Sequence, residues 1–198
     1  MGNVVSAGVG QAPARQAAIF AGLPESVCCT TLNKVCSSGM KAVMYASQGI
    51  ALGHAGVVVA GGFESMSNTP YLLPGGRYGH KYGHGTMLDA LVKDGLWDVY
   101  NDFHMGMCAE KTAAEMGITR AQQDAYAVSS YKRAAASHAA GAFAKEIVGV
   151  PVKGRSGETV VTSDEEWSKV NFDKVRRRAD VLTGWWRLRQ RGGAGRWY

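Results

Sequence analysis

The residues of this sequence best suited to chemistry lie around Cys36, in the run Asn33-Lys-Val-Cys-Ser-Ser-Gly-Met40. A thiolate, the nucleophilic form of cysteine, is favoured where backbone N–H groups and the positive end of a helix dipole point at the sulfur. Ser37 or Ser38 can cap a helix that begins just after Cys36, and Gly39 permits a tight turn. This arrangement predicts a cysteine nucleophile for covalent catalysis. The alternative is that Cys36 is one more small buried apolar residue, which is a common role for free cysteine.

The segments on either side of Cys36 predict the elements that would position it. The run Val27–Leu32 is short, β-branched and apolar, which predicts a buried strand. Beyond Cys36, six residues recur at helical spacing and predict a core-facing helix: Met40, Val43, Met44, Ser47, Ile50 and Ala51. The apolar run Val57–Ala60 predicts a strand buried on both faces, and Val4–Ala7 predicts another strand. Strands alternating with helices indicate an α/β fold.

The other segments of the sequence predict helices, a long loop and a hairpin. Glycines and prolines from Thr69 to Gly85 indicate a loop or arm outside the core. Helices are predicted over residues 14–21, 87–96, 106–116 and 120–140, with Thr119 and Gln122 as a cap for the last. Residues 147–152 and 159–162 are predicted to pair as strands around the turn at 153–157. Gly61 and Gly62 are expected to allow close backbone packing, and Glu64 is expected to be a buried structural carboxylate.

Several short segments of the sequence resemble segments of the thiolase family of acyl-CoA acetyltransferases, and they occur in the same order. These segments are residues 10–16 (GQAPARQ), 33–40 (NKVCSSGM), 60–68 (AGGFESMSN), 71–77, 93–98, 104–110 (HMGMCAE) and 123–126. The resemblance implies an α/β fold, the N-terminal half of a thiolase with a mixed sheet and a buried nucleophile helix, plus an inserted loop domain. It implies that the C-terminal half is absent. The implied domains are a partial N-terminal core at 1–66, a loop domain at 67–175, and a divergent basic tail at 176–198 that is expected to be disordered.

The resemblance implies an acetyl-CoA C-acetyltransferase in which Cys36 carries the acyl group as a thioester, to or from acetyl-CoA. The family's base is a histidine in a Gly-His-Pro segment, and its second acid/base is a cysteine in a Cys-x-Gly segment. Neither segment occurs here: none of the five histidines precedes a proline, and no cysteine lies two residues before a glycine. The alternative is therefore a truncated, catalytically inactive fragment that at most associates with full-length subunits.

The same resemblance assigns candidate residues for coenzyme A. His104 and Met105 would line the pantetheine channel, and the nucleotide end would lie against Lys169, Val170, Asn171 and Lys174. Tyr131 would contact coenzyme A and a potassium ion, whose remaining ligands would follow Val175. The alternatives are a packing role for Tyr131 and a solvated charged face for the lysines. The family implies a homo-oligomer, a dimer or a tetramer, with part of the tetramer contact in the arm at 69–85.

Composition excludes several other classes of function. The net charge of +6 comes from the end of the chain, because residues 169–198 hold nine Lys or Arg and two Asp, whereas the rest holds 13 basic and 14 acidic residues. An Arg- and Trp-rich tail could stack on single-stranded nucleic acid, but an unselected tail is the simpler interpretation, and no nucleic-acid partner is predicted. The glycines around His80 and His84 argue against a helical metal pair. No apolar run suggests a membrane span, and the cysteines predict a reducing compartment, the mitochondrion or the cytoplasm.

Overall fold

The computed structural model describes residues 1–155 and 157–172. The chain divides into two compact units, residues 1–105 and a second unit that begins at Gly106. The division into family domains at residues 66 and 67 stays a prediction. The basic tail predicted at 176–198 and the candidate residue Lys174 lie outside the described residues.

Three backbone segments of the first unit lie side by side and parallel. Gly2 forms parallel bridges with both Leu32 and Gly62. The Gly2 amide donates to Gly61 O at 2.8 Å, and the Asn3 amide donates to Leu32 O at 3.1 Å. The strands predicted at Val4–Ala7, Val27–Leu32 and Val57–Ala60 therefore appear as short bridges displaced from the apolar runs. Helix α1 (Pro13–Phe20) and helix α2 (Ser38–Ala51) alternate with these segments, as the α/β prediction requires.

Glycines let the parallel segments approach α2 closely. A Cβ added at Gly2 would lie 2.6 Å from Ser38 Cβ and 2.8 Å from the Ser38 carbonyl carbon. A Cβ at Gly62 would lie 3.5 Å from Gly39 Cα. Since such separations leave no room for a side chain at Gly2, the first turn of α2 rests directly on backbone. The close packing predicted at Gly62 is confirmed.

The burial predicted for α2 and for residues 57–60 is wrong. Met40, Val43 and Met44 are 70%, 54% and 49% exposed, and Val57 and Val59 are 87% and 76% exposed. The buried residues of α2 are Ser38 and Ala42. Only small side chains fit against the glycine-lined segments, so the large apolar side chains of α2 point away from them. Within the described residues, no other element covers that side.

The rest of the first unit consists of short strand pairs. Strand β1 (Tyr71–Leu72) pairs antiparallel with β2 (Leu88–Asp89), and β3 (Trp97–Asp98) pairs antiparallel with β4 (Phe103–His104). A 3-10 turn spans Met66–Asn68, and a π-helical segment spans Leu91–Leu96. The helix predicted over 87–96 is thus shorter than expected, because Leu88 and Asp89 take extended conformations to pair with β1.

The second unit follows the predicted pattern closely. It contains α3 (Met105–Glu115), which starts at the boundary, α4 (Arg120–Ala139), β5 (Val150–Gly154), β6 (Gly157–Val161) and α5 (Glu166–Lys169). Thr119 and Gln122 form a reciprocal capping box at the start of α4, as predicted. Strands β5 and β6 form the predicted antiparallel hairpin, with Val152 opposite Thr159.

Candidate acyl-transfer site

Cys36 lies in a turn two residues before the first residue of α2. Its side chain is a free thiol and is exposed. The preceding residues reach this turn directly from the parallel segment at Leu32. The structure therefore places Cys36 where the chain changes from an extended segment to a helix, as the sequence predicts. The interpretation of Cys36 as a buried apolar residue is excluded by its exposure.

A dense set of hydrogen bonds holds the turn around Cys36. The Asn33 side chain accepts from the Val35 amide at 2.9 Å. The Ser38 hydroxyl accepts from the Lys34 amide at 2.8 Å and donates to Val35 O at 2.6 Å. Val35 itself has φ of 49°, in the left-handed region that β-branched residues rarely adopt. The turn is thus an unusual conformation that several side-chain contacts maintain.

The first turn of α2 is not capped by a side chain. Ser37 is the N-cap residue and makes no side-chain cap hydrogen bond, because its hydroxyl donates to Lys34 O at 3.0 Å. The predicted capping role of Ser37 or Ser38 is therefore wrong: both hydroxyls bond back into the turn. The Ser37 and Ser38 amides donate to Lys34 O and Val35 O, so the N–H groups left to face an acceptor are those later in the first turn of α2. Such groups, with the helix dipole, stabilise an anion, which suits a thiolate or a developing oxyanion.

Glu64 ties the first parallel segment to the third. Its carboxylate accepts from the Val4 amide at 2.8 Å, from the Val5 amide at 3.2 Å and from the Asn3 side chain at 2.9 Å. Glu64 is exposed rather than buried, so the prediction is right about its structural role and wrong about its burial. Asn3 is 5% exposed and also donates to Phe63 O. This connection holds the segment on which the first turn of α2 rests.

His104 and Met105 lie where β4 passes into α3. His104 is half-buried and is paired with Trp97 across the two strands. Met105 is 44% exposed and is the first residue of α3. The two residues lie at the end of the first unit, and their proposed role toward coenzyme A stays a prediction.

A cavity of about 680 Å³ lies in the second unit and includes Tyr131 in its wall. His138 and Trp167 stack in this wall with ring centroids 5.0 Å apart, and His138 also meets Phe143 at 5.0 Å. The Trp167 indole N–H is buried and has no hydrogen-bond partner within the described residues. Three consecutive acidic residues, Asp164, Glu165 and Glu166, contribute to the lining. Aromatic faces and a free donor suit a flat, polar ring.

The residues predicted for the nucleotide end of coenzyme A come soon after Trp167, the last residue in sequence that lines this cavity. Lys169 is the last residue of α5, and its exposed ammonium group forms an ion pair with Glu165 one turn earlier. Val170 is half-buried and Asn171 is exposed. The structure thus brings Tyr131 and Trp167 to one cavity and places Lys169, Val170 and Asn171 in the segment directly after it.

No metal centre forms in the part of the chain that the structure describes. There, no three His, Cys, Asp or Glu side chains converge on one position. His80 and His84 lie in an irregular segment and not in a helix, as the surrounding glycines predict. Tyr131 is the one residue of the predicted potassium ligand set within the described residues. A single hydroxyl oxygen does not make a potassium site, so these residues do not fit the ion by themselves.

Sequence reasoning missed four structural residues, Ser38 and Asn3 in the first unit and His138 and Trp167 in the second. The double hydrogen bonding of Ser38 depends on the left-handed turn at Val35, which no sequence pattern signals. The burial of Asn3 depends on its contacts with residues about sixty positions later. The His138 and Trp167 stack could have been suspected only from the aromatic content of the two segments.

Comparison with known proteins agrees with this fold. The family model for the N-terminal domain of thiolase matches residues 1–181. Over 178 residues the chain is 58% identical to acetyl-CoA acetyltransferase 2 of Arabidopsis thaliana, covering 89% of this chain and 44% of that protein. It is 55% identical over 177 residues to the mitochondrial acetyl-CoA acetyltransferase of Homo sapiens, covering 88% of this chain and 41% of that protein. The chain belongs to the thiolase family.

A solved structure shows the same fold. The crystal structure of Acat5 thiolase from Ascaris suum in complex with coenzyme A superposes with a TM-score of 0.79 at 45% sequence identity, covering 89% of this chain and 44% of that one. The resemblance and the fold predicted from the sequence, the N-terminal half of a thiolase, are confirmed. The chain spans less than half the length of these relatives. Among the described residues, no helix is long and apolar enough to cross a membrane.

Proposed function

We propose that this chain takes part in acetyl transfer as a thiolase, with Cys36 as the residue that carries the acetyl group. The observation that carries the proposal is the exposed thiol of Cys36 in the turn before α2, next to first-turn N–H groups that no side chain caps. Acetyl-CoA is the proposed donor. The names of the relatives and the coenzyme A bound to the Ascaris enzyme support this choice.

The first half of the reaction needs few groups beyond Cys36. The Cys36 thiolate attacks the thioester carbon of acetyl-CoA, the new sulfur–carbon bond forms, and the bond to the coenzyme A sulfur breaks. The coenzyme A thiolate leaves and takes a proton from solvent. Backbone N–H groups near the start of α2 are suited to stabilise the oxygen anion that forms during the attack.

The rest of the reaction requires acid–base groups that this sequence does not contain. In the second half, an enolate carbon of another acetyl-CoA would attack the Cys36 thioester, which requires a base to remove a proton. The histidine and cysteine segments that the family uses for this purpose have no counterpart in the sequence. We therefore propose acetylation of Cys36 as the step of which this chain is capable by itself.

The contacts proposed for coenzyme A follow the family resemblance of the sequence, residue by residue. His104 and Met105 are proposed to contact the pantetheine arm. Tyr131 is proposed to contact the nucleotide in the cavity beside Trp167, and Lys169, Val170, Asn171 and Lys174 are proposed to hold its phosphates and adenine. Potassium enters no step of this proposal.

Site-resolved mass spectrometry after incubation with acetyl-CoA tests the proposal. Trypsin cuts after Lys34 and after Lys41, which isolates Cys36 in a peptide without a second cysteine. We expect one acetyl group on this peptide, lost in C36S. The matched control is C28S, since Cys28 is also an exposed free thiol of the first unit. Absence of the adduct, or equal acetylation of Cys28 and Cys36, would contradict the proposal.

A second candidate function is association with longer thiolase subunits without turnover. Exposed aromatic side chains in the arm at 69–85 favour it, because Tyr78 and Tyr82 are 88% and 103% exposed. Aromatic residues at such exposure are typical of binding surfaces. A homo-oligomer and a location in the mitochondrion or the cytoplasm complete the proposal; the names of several relatives include the word mitochondrial.

A further inference from the structure

The backbone at Val35 has a conformation that its side chain disfavours. Its φ of 49° is left-handed, and valine carries two methyl groups on Cβ that crowd the backbone there. A residue held in such a region persists only where the surrounding structure over-determines it. Val35 directly precedes Cys36, so the conformation of this residue sets the direction in which the chain presents the thiol.

The Ser38 hydroxyl makes hydrogen bonds to both Lys34 and Val35 and so holds this turn. It accepts from the Lys34 amide at 2.8 Å and donates to Val35 O at 2.6 Å, while the Ser38 amide donates to Val35 O at 3.0 Å. Ser38 is 5% exposed and lies against Gly2, so its side chain has little freedom to leave this position. One buried side chain therefore bonds to the residues on both sides of the Lys34–Val35 peptide.

We propose that Ser38 is a positioning residue, which holds Val35 in the left-handed conformation and thereby fixes the Cys36 thiol at the start of α2. The inference rests on the proposed function for the identity of Cys36 as nucleophile. Its physical content is independent of acetyl transfer, because it concerns the reactivity of one thiol. Ser38 acts through the backbone of Val35 and needs no contact with the substrate.

Alkylation of the full chain by iodoacetamide tests this inference without coenzyme A. The rate at Cys36 is read from its tryptic peptide, and the rate at Cys28 in the same sample serves as the internal reference. S38A removes both hydrogen bonds of the Ser38 hydroxyl, so we expect the ratio of the two rates to fall roughly fivefold or more. An unchanged ratio in a folded S38A chain overturns the inference.

A second substitution, at Val35, tests whether S38A acts through the backbone of Val35 or through a general loss of structure. Asparagine adopts the left-handed region far more readily than valine. V35N therefore lowers the conformational free energy that the hydrogen bonds of Ser38 must offset. We expect V35N/S38A to regain most of the Cys36 rate, and to fold even if S38A alone does not. Failure of the double variant to recover either property overturns the inference.

The matched control is Ser37→Ala. Ser37 is exposed, and its hydroxyl donates one hydrogen bond of 3.0 Å to Lys34 O in the same turn. We expect the Cys36 rate in S37A to stay within about twofold of the parent chain, because the bonds to Val35 are intact. A fall equal to that of S38A overturns the specific role of Ser38. Loss of acetylation with a normal alkylation ratio would instead contradict the proposed function alone.

Discussion

At the scale of single residues, one exposed carboxylate, Glu64, connects distant backbone segments by hydrogen bonds. Glu64 accepts from the amides of Val4 and Val5 and from the Asn3 side chain, although it is an exposed carboxylate. An ionised acceptor makes stronger hydrogen bonds than a neutral one. Glu64 therefore fixes the segment that begins the parallel arrangement.

Glu64→Gln should lower the free energy of unfolding by about 1–2 kcal/mol, because the amide has one acceptor oxygen where the carboxylate has two. Urea titration of the full chain, followed by circular dichroism, measures this change. The matched control is Glu25→Gln, an exposed carboxylate whose side chain makes no hydrogen bond within the described residues. An equal, small effect at both positions would show that the bonds of Glu64 do not stabilise the fold.

At the scale of elements, the position of α2 depends on glycine at its contact with the first segment. The first turn of α2 lies so close to Gly2 that a Cβ there would be 3.0 Å or less from three atoms of Ser38 and Gly39. Two of these three atoms are backbone atoms, which cannot rotate away. Helix α2 must therefore shift if the segment acquires a side chain.

Gly2→Ala should destabilise the chain by about 1–3 kcal/mol, as is typical of overpacking. Gly49→Ala is the control within α2, because nothing lies within 4 Å of a Cβ there. Alanine in the interior of a helix should raise stability by about 0.5–1 kcal/mol. Both changes are measured as shifts of the unfolding midpoint in urea. Equal effects of the two substitutions would contradict the close contact at Gly2.

The sequence predicts the helices and strands better than it predicts their burial and their contacts with one another. The capping box at Thr119 and the hairpin after Val150 follow from local sequence, so they could be predicted. The helix after Cys36 was also predictable, because its apolar spacing is local information. Its burial was not, since the neighbours of Met40 and Val43 depend on which other elements are present. The bonds of Ser38 were missed because they require the left-handed Val35.

At the scale of the whole molecule, the first unit exposes a large apolar surface. Met40, Val57 and Val59 are between 70% and 87% exposed, and Tyr78 and Tyr82 are exposed in the arm. Where such side chains form one patch, they are typical of a surface that another protein covers. The aligned segment covers 44% and 41% of two of the relatives.

We expect the isolated chain to associate as its concentration rises, and sedimentation velocity measures this. V57K/V59K should weaken association more than Y78K/Y82K, because exposed valines present no polar atom to water. The reverse order, together with co-purification with an intact acetyl-CoA acetyltransferase, would support association through the arm. A monodisperse monomer at every concentration would contradict both surfaces.

The exposure of the β5–β6 hairpin determines how readily it opens. Every residue of both strands is exposed, and within the described residues each strand pairs only with the other. Two strands without a third, or a covering helix, are marginal in water. The valines of the two strands are already 48% to 57% exposed, so breaking the ladder uncovers only the other half of each side chain. The hairpin can therefore open and reclose while the two units stay folded. Its amide protons would therefore exchange with solvent through brief local fluctuations rather than through global unfolding.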